Sequence, residues 1–222
     1  MKHLSLLPLI LLICLVGCGD PPSNKSPVLV GSGNPVDDVR EIDNFEEFAT
    51  NGDDALDIRI KVGPKPKAIV HGDDNIVEYI LVDVNKNSLY VRLDYNGVVQ
   101  PKSKLWIEVT VPKLAKAGMT GNNKLQVSGI KAGDFIVTVN GKGQAKFSGT
   151  ADFLEVRSSG DTRVEAIDLV AKEVDFVLTG GAYLSFFATE KIIGGATTKC
   201  NVEYGGPGKL ELTRQTNIKK IK

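Results

Sequence analysis

Short runs of alternating apolar and polar residues recur through the second half of the chain, each at a fixed offset from a glycine. The glycines are Gly121, Gly141, Gly160 and Gly180, at steps of 20, 19 and 20 residues. Four residues after them stand Leu125, Ala145, Val164 and Leu184, and six after stand Val127, Phe147, Ala166 and Phe186. Four before are Ala117, Val137, Val156 and Phe176, and two before are Met119, Val139, Ser158 and Leu178. An offset of two puts both side chains on one side of a strand. Self-similarity at this period is that of a solenoid, whose coils bury their apolar sides only by stacking on one another. The pattern predicts an all-β chain, a β-helix-like solenoid with coils of about 19 residues.

A further inward column, six before each anchor, runs Ala115, Phe135, Leu154, Val174 and Ile192. The columns continue past the glycines: Val202 and Tyr204 follow Thr198, Ile218 follows Arg214, and Leu210 and Leu212 stand four and two before Arg214. Glycine suits the corner between coils because φ > 0 costs it nothing sterically. In the first half, Leu56, Ile58, Ile60 and Val62 alternate with charged residues up to Gly63-Pro64, which predicts a half-buried strand. Val82 and Val84, then Leu89, Val91 and Leu93, flank a turn at residues 85–88 and predict a hairpin. Leu105, Ile107, Val109 and Val111 make another strand, stopped by Pro112. Phe45 and Phe48 are expected to plug the open end of the core, where unpaired strand edges need cover. No stretch has the period of an amphipathic helix.

The N-terminus reads differently. Lys2 and His3 precede an apolar run, Leu4–Val16, too short to span a bilayer, and the run ends in Leu15-Val16-Gly17-Cys18. This resembles a bacterial lipobox, which implies a signal peptide over residues 1–17, cleavage before Cys18 and a lipid anchor on that cysteine. The acyl chains would bury tens of CH₂ groups at about 0.8 kcal/mol each, enough for stable attachment to a membrane. The alternative is an ordinary secretory signal cleaved near Gly17 or Gly19. Gly19, with Asp20 one place later, points to the outer membrane under the sorting rule that retains Asp-bearing lipoproteins in the inner one. Once Cys14 leaves and Cys18 is lipidated, Cys200 stands alone, so no disulfide is expected and Cys200 reads as a buried thiol. Residues 18–38 read as a flexible tether of Pro, Ser, Asn and Gly, with the solenoid domain over 39–222. Gly31-Ser32-Gly33 lacks the strand before it and the helix after it that a phosphate loop needs.

The order of motifs resembles the head GIN domain family, also called putative auto-transporter adhesin. The carriers are Arg40 with Phe45 and Phe48, His71-Gly72-Asp73-Asp74-Asn75, Leu89-Tyr90-Val91, and the strand ending Val109-Thr110-Val111-Pro112-Lys113-Leu114. The repeated coils follow, then Asn201-Val202-Glu203-Tyr204-Gly205-Gly206-Pro207 and the closing Ile218-Lys219-Lys220-Ile221. The resemblance implies a right-handed β-helix-like fold at the cell envelope and carries no catalytic residues. The chain departs from the family's Ser-Gly-Ala-Gly turns, since only Gly141 with Gly143 keeps both glycines.

Charge and chemistry narrow the function. Equal counts of 27 basic and 27 acidic residues argue against nucleic acid as a partner. His71 beside Asp73 and Asp74 is a conceivable metal corner, but Gly, Asp and Asn suit a tight turn on their own, and neither a metal nor a cofactor is expected. The pairs Asp37-Asp38 and Asp53-Asp54 lack the oxygens calcium requires. Asp152, Glu155, Arg157, Asp161, Arg163, Glu165, Asp168 and Lys172 project outward, which fits either a solvated sheet face or the acids of a polysaccharide lyase or hydrolase. Tyr183 and Phe187 alternate outward on one coil and are the candidate ligand-binding aromatics, able to stack on a sugar ring. The expectation is a lipid-anchored, non-enzymatic envelope module for adhesion, scaffolding or binding, with glycan or an envelope protein as partner and the membrane reached through Cys18. A carbohydrate-active enzyme on the same scaffold is the alternative.

Overall fold

The computed structural model describes residues 26–50, 52, 54–214 and 216–221. The expected signal segment, Cys18 and residues 19–25 of the expected tether lie outside the described residues. Among those described, the chain opens with β1 (Val28–Val30), β2 (Pro35–Arg40), β3 (Glu47–Thr50), β4 (Asp57–Val62) and β5 (Lys67–Asp73). A single helical turn, α1 (Asp74–Val77), leads into β6 (Ile80–Asn85), β7 (Ser88–Leu93), β8 (Val98–Gln100), β9 (Trp106–Val111) and β10 (Lys116–Gly121). Four long strands follow: β11 (Lys124–Gly141), β12 (Gln144–Gly160), β13 (Arg163–Gly180) and β14 (Tyr183–Ala196). The chain closes with β15 (Asn201–Gly205), β16 (Lys209–Leu212) and β17 (Ile218–Lys220).

The long strands are coils. β11, β12, β13 and β14 pair in parallel along most of their lengths, in a β-solenoid of about five turns. Inward residues of β11 fall into three groups, Leu125 and Val127, then Ile130, then Phe135, Val137 and Val139, with a register shift between the first two. The strand therefore bends around three sides of one core. All four expected columns around the glycines are buried, and Leu114 takes the buried place expected for the half-buried Ala115. Edge-to-face rings of Phe135 and Phe147, 5.6 Å apart, fill the core where the coils meet.

Corner glycines have φ of +82° (Gly121), +100° (Gly141), +95° (Gly160) and +80° (Gly180). Gly141, Gly160 and Gly180 also lie against the backbone of the corner below, so a Cβ on Gly160 would fall on the Gly141 carbonyl oxygen. Two demands, left-handed backbone and close approach, thus meet at one residue. The corner side chain two residues on points inward: Asn123, Thr162, Ala182 and Cys200 are all buried. Asn123 satisfies itself there, accepting from Leu56 N (2.9 Å) and donating to Thr120 O (2.9 Å), Gly52 O (3.0 Å) and Thr50 Oγ1 (3.2 Å). Cys200 is the buried thiol expected.

The first half enters the same stack. β4 and β9 continue the side begun by Leu125, while β3 and β7 continue the side begun by Ala117. Hence Phe48 is no plug. β3 is an internal rung between β10 and β7, and the β6–β7 hairpin forms the end, turning through Lys86 and Asn87 at φ +49° and +77°. Local reading misses this because β3 pairs with strands about 40 and 70 residues away in sequence. Leu210 and Leu212 also depart from the expected register. They stack on Ile192 and Gly194, two positions from the expected column, and stay 38% and 39% exposed because no further rung among the described residues covers β16.

Part of the expected tether is instead built into strands, β1 and the start of β2. Val28–Val30 pairs in parallel with Val98–Gln100, and Pro35–Arg40 pairs antiparallel with β5. Arg40 locks β2 down, donating to Asp38 (2.6 Å), to the Val77 carbonyl (2.8 Å) and to the Ile80 carbonyl. Proline and glycine composition hid these strands, since their partners are distant in sequence.

Substituting Gly160→Ala is expected to cost at least about 1–3 kcal/mol from its left-handed backbone alone. Gly133→Ala, where a Cβ meets nothing within 4 Å, should change stability by less than about 0.5 kcal/mol. Urea unfolding of the two variants checks the contrast.

Candidate binding face

Period-2 alternation sends every second residue of each rung outward, and parallel register stacks those residues into columns. On the side made by β4, β11, β12 and β13 each rung presents two. These are Asp57 and Arg59, Lys124 and Gln126, Gln144 and Lys146, and Arg163 and Glu165. The columns run on through Tyr183 on β14 and Asn201 and Glu203 on β15, and in the other direction through Trp106 and Glu108 on β9 to His71 on β5. A shallow depression of about 280 Å³ lies on the four central rungs, lined by these polar side chains with Leu125 and Ala145.

Each end of the depression carries an arginine seated on an aromatic ring. Arg59 Cζ lies 4.5 Å from the centroid of Trp106, whose indole also stacks on His71 at 3.8 Å and 7°. β9 lies between β4 and β5, so the indole is held between guanidinium and imidazole. His71 is in turn joined to Asp37 through Nδ1 at 2.6 Å, and its Nε2 is buried without a partner. At the other end Arg163 Cζ lies 4.1 Å over Tyr183, whose hydroxyl donates to Glu203 at 2.7 Å. Hydrogen bonds to Asp57 and to Glu165 raise the two guanidinium pKa values further, fixing both as cations. Burial, aided by the bond to Glu203, pushes the Tyr183 phenol up and keeps it a donor.

Tyr183 therefore sits on this face, but Phe187 does not. Phe187 pairs with Val170 and Gly205 beyond the bend of its coil, where the register has shifted, so the two rings form no shared platform. The strand bends between them, which alternation alone does not disclose. The outward charges of residues 152–172 also divide between sides. Arg157 pairs with Glu155 (2.9 Å) and Asp175 (3.7 Å) on one, Arg163 with Glu165 (2.5 Å) on another, and Lys172 with Asp152 (2.7 Å).

The His71–Asn75 stretch is a clasp. Asp73 is fully buried and accepts from Gly33 N (2.9 Å), Lys102 N (2.8 Å), Ser103 N (3.1 Å) and Ser103 Oγ (2.8 Å). Asp74 accepts from Ser32 Oγ (2.5 Å), while Asn75 accepts from Ser32 N (2.8 Å) and donates to Val30 O (2.9 Å). A Cβ on Gly31 would fall on the Asp73 carboxylate, so glycine is required for the loop to close over it. Gly31-Ser32-Gly33 does have a strand before it, β1, but β2 rather than a helix follows, and its groups are spent on this clasp. Among the described residues no three His, Cys, Asp or Glu side chains converge as metal ligands.

The family model for the putative auto-transporter adhesin, head GIN domain, matches residues 44–208. The chain belongs to this family. Its fold is shared with solved structures of low sequence identity. A putative adhesin from Bacteroides fragilis NCTC 9343 aligns with TM-score 0.70 and 21% identity, over 87% of this chain and 100% of that one. A putative adhesin from Parabacteroides merdae ATCC 43184 aligns with TM-score 0.55 and 15% identity, over 88% and 99%. A structure named as a putative lipid binding protein from Parabacteroides distasonis ATCC 8503 aligns with TM-score 0.50 and 17% identity, over 88% and 100%. No curated protein matches the sequence.

Trp106, Arg59, Lys124 and Lys146 of this GIN domain were not singled out from its sequence. The signal existed for the last two. The positions three and five after each corner glycine are Lys124, Gln144, Arg163 and Tyr183, then Gln126, Lys146, Glu165 and Ser185, which are the outward columns. Trp106 and Arg59 precede the glycine series and join the columns only through pairing.

Burial pushes the Asp73 pKa up, but the donors from Ser103, Lys102 and Gly33 outweigh it and hold the carboxyl below its usual range. A lowered native pKa means the clasp contributes fully above the ordinary Asp value of about 3.9 and loses its contribution as pH falls through the native value. Asp73→Ala should remove amide-exchange protection from Val28–Asn34 at neutral pH while leaving β11–β13 protected. The native clasp should release only in stronger acid.

Proposed function

We propose that the protein is a lipid-anchored, non-enzymatic module of the outer membrane that uses the side of its β-solenoid for adhesion or scaffolding, with glycan or an envelope protein as partner. Family membership supports an envelope setting, and the Leu15–Cys18 lipobox supports anchoring through Cys18. The observation that carries the non-enzymatic reading is the spacing of acids at the centre of the candidate face. Its central depression has two carboxylates, Asp57 and Glu165, on β4 and β13. Those strands are three rungs apart, which at about 4.8 Å per rung is about 14 Å. Glycoside hydrolysis needs its two carboxylates about 5–9.5 Å apart, one of them free to carry a proton. Here Asp57 is committed to Arg59 (3.0 Å) and Glu165 to Arg163 (2.5 Å). A face whose groups stand in register over many rungs suits an extended partner, as solenoid surfaces generally do.

A soluble version should begin no later than Ser26, because β1 pairs with β8 in a small two-stranded sheet and β2 belongs to the main one. In cells the native protein is expected in the outer-membrane fraction, and Cys18→Ser should be unprocessed and lose lipid-dependent membrane association. The soluble chain should retain envelope glycan or protein in a pull-down and release no reducing ends from polysaccharide. Unchanged processing of Cys18→Ser defeats the anchor; released reducing ends or unsaturated products make the protein an enzyme.

A further inference from the structure

We propose that the outer face of β4, β11, β12 and β13 binds an extended polyanionic glycan laid across the strands. This rests on the binding-module reading above and names the chemistry of the ligand. Four consecutive rungs each carry one cation: Arg59, Lys124, Lys146 and Arg163. They alternate between the two outward columns, so the positive charges zigzag across about 14 Å at about 4.8 Å per rung. The two inner rungs pair their lysines with Gln126 and Gln144 and carry no carboxylate in these columns; Asp57 and Glu165 stand only at the ends. Four cations against two carboxylates leave the lining of the depression at +2.

Ordinary solvation of a sheet face would mix signs between adjacent rungs, because opposite charges across neighbouring strands stabilise and like charges oppose. Another side of the solenoid does this, where Arg157 pairs with Glu155 beside it and Asp175 on the next rung. On the proposed face Asp57 and Glu165 stand in register beside Lys124 and Lys146 but are turned to Arg59 and Arg163 instead. Lys124 has no carboxylate within ion-pair distance among the described residues, and Lys146 reaches only the exposed Asp168, at 3.4 Å around the bend. A bound polyanion would relieve the repulsion along the zigzag.

The arginines are prepared for such a ligand. Arg59 is held by Asp57 and the Trp106 face, and Arg163 by Glu165 through Nε and by the Tyr183 face. The terminal nitrogens of Arg163 have no hydrogen-bond partner among the described residues, which leaves a fork of donors for a carboxylate or sulfate. The side amides of Gln126 and Gln144, each both donor and acceptor, suit sugar hydroxyls. Trp106 lies between His71 and Arg59, and Arg163 covers one face of Tyr183. The base-stacking platform of a single-strand nucleic-acid binder is thereby lacking at Trp106. The shared ligand chemistry is a chain of regularly spaced anionic groups, carboxylated or sulfated.

The test uses residues 19–222, which retain every described residue, with heparin as the sulfated probe, polygalacturonate as the carboxylated one, and dextran and poly(dT) as controls. At 50 mM salt at least one anionic glycan should bind 10-fold or more tightly than dextran or poly(dT), and binding should weaken steeply with salt. The tighter of the two identifies the source of the charge. Lys124→Gln/Lys146→Gln should weaken that binding at least 10-fold and flatten its salt dependence. Lys116→Gln/Lys191→Gln, on other parts of the solenoid, should not. Thermal melting checks that both variants fold, and the first pair should melt no lower than the native chain. Equal binding of dextran or poly(dT), or an unaffected Lys124/Lys146 variant, overturns the proposal. Failure of both polyanions overturns it while a positive envelope pull-down leaves the binding-module reading standing; failure of both experiments removes the two together.

Discussion

Parallel, in-register stacking of one coil on the next is the constraint from which the other features of this protein derive. Backbone hydrogen bonds between coils fix a rung spacing of about 4.8 Å, and that spacing leaves no room for a side chain where the chain turns from one coil to the next. Gly121, Gly141, Gly160 and Gly180 lie one above another at that corner with positive φ. Once the corners align, residues 19 or 20 apart in sequence become nearest neighbours. Inward columns then close into one core, where Phe176, Phe186 and Tyr204 follow each other at 5.7 and 6.2 Å. Any single coil would expose its apolar side, so stability belongs to the stack.

The two ends of the stack are managed unequally. At the N-terminal end the parallel rule is abandoned: β2 runs antiparallel to β5, β5 antiparallel to β9, and β6 antiparallel to β7. The Asp73 clasp then ties the incoming chain to the loop at Lys102 and Ser103, so the segment nearest the expected anchor is fastened at several points. At the C-terminal end, β16 and β17 each pair on one side only, and Leu210 and Leu212 remain partly open. The domain is thus most elaborately secured where a lipid anchor at Cys18 would pull on it.

Stacking also decides what the outer surface can do. Because the columns repeat each rung, charges that are scattered along the chain become a regular array. Its arginines are oriented by the single tryptophan and by Tyr183, which act here as seats for guanidinium groups more than as open aromatic platforms. At the centre of the array Asp57 and Glu165 are paired with Arg59 and Arg163 and stand three rungs apart.

Much of the fold was legible in the sequence because burial and backbone strain leave periodic marks. The positions of the corner glycines, the alternation of Leu125 with Val127 and Phe135 with Val137, and the hairpin around Lys86-Asn87 are consequences of rules acting within a few residues. The order of motifs carried the family as well. What the sequence could not determine is which rungs meet. β3 lies between β10 and β7, Val28–Val30 joins Val98–Gln100, and Leu210 stacks two positions from its expected column, because each pairing spans a long separation that local pattern does not encode. The candidate face divides the same way. Tyr183 was visible as an outward aromatic, but its separation from Phe187 depends on where the coil bends. An overall charge of zero said nothing of the zigzag of Arg59, Lys124, Lys146 and Arg163, since only lateral stacking brings residues about 20 to 65 apart onto neighbouring rungs.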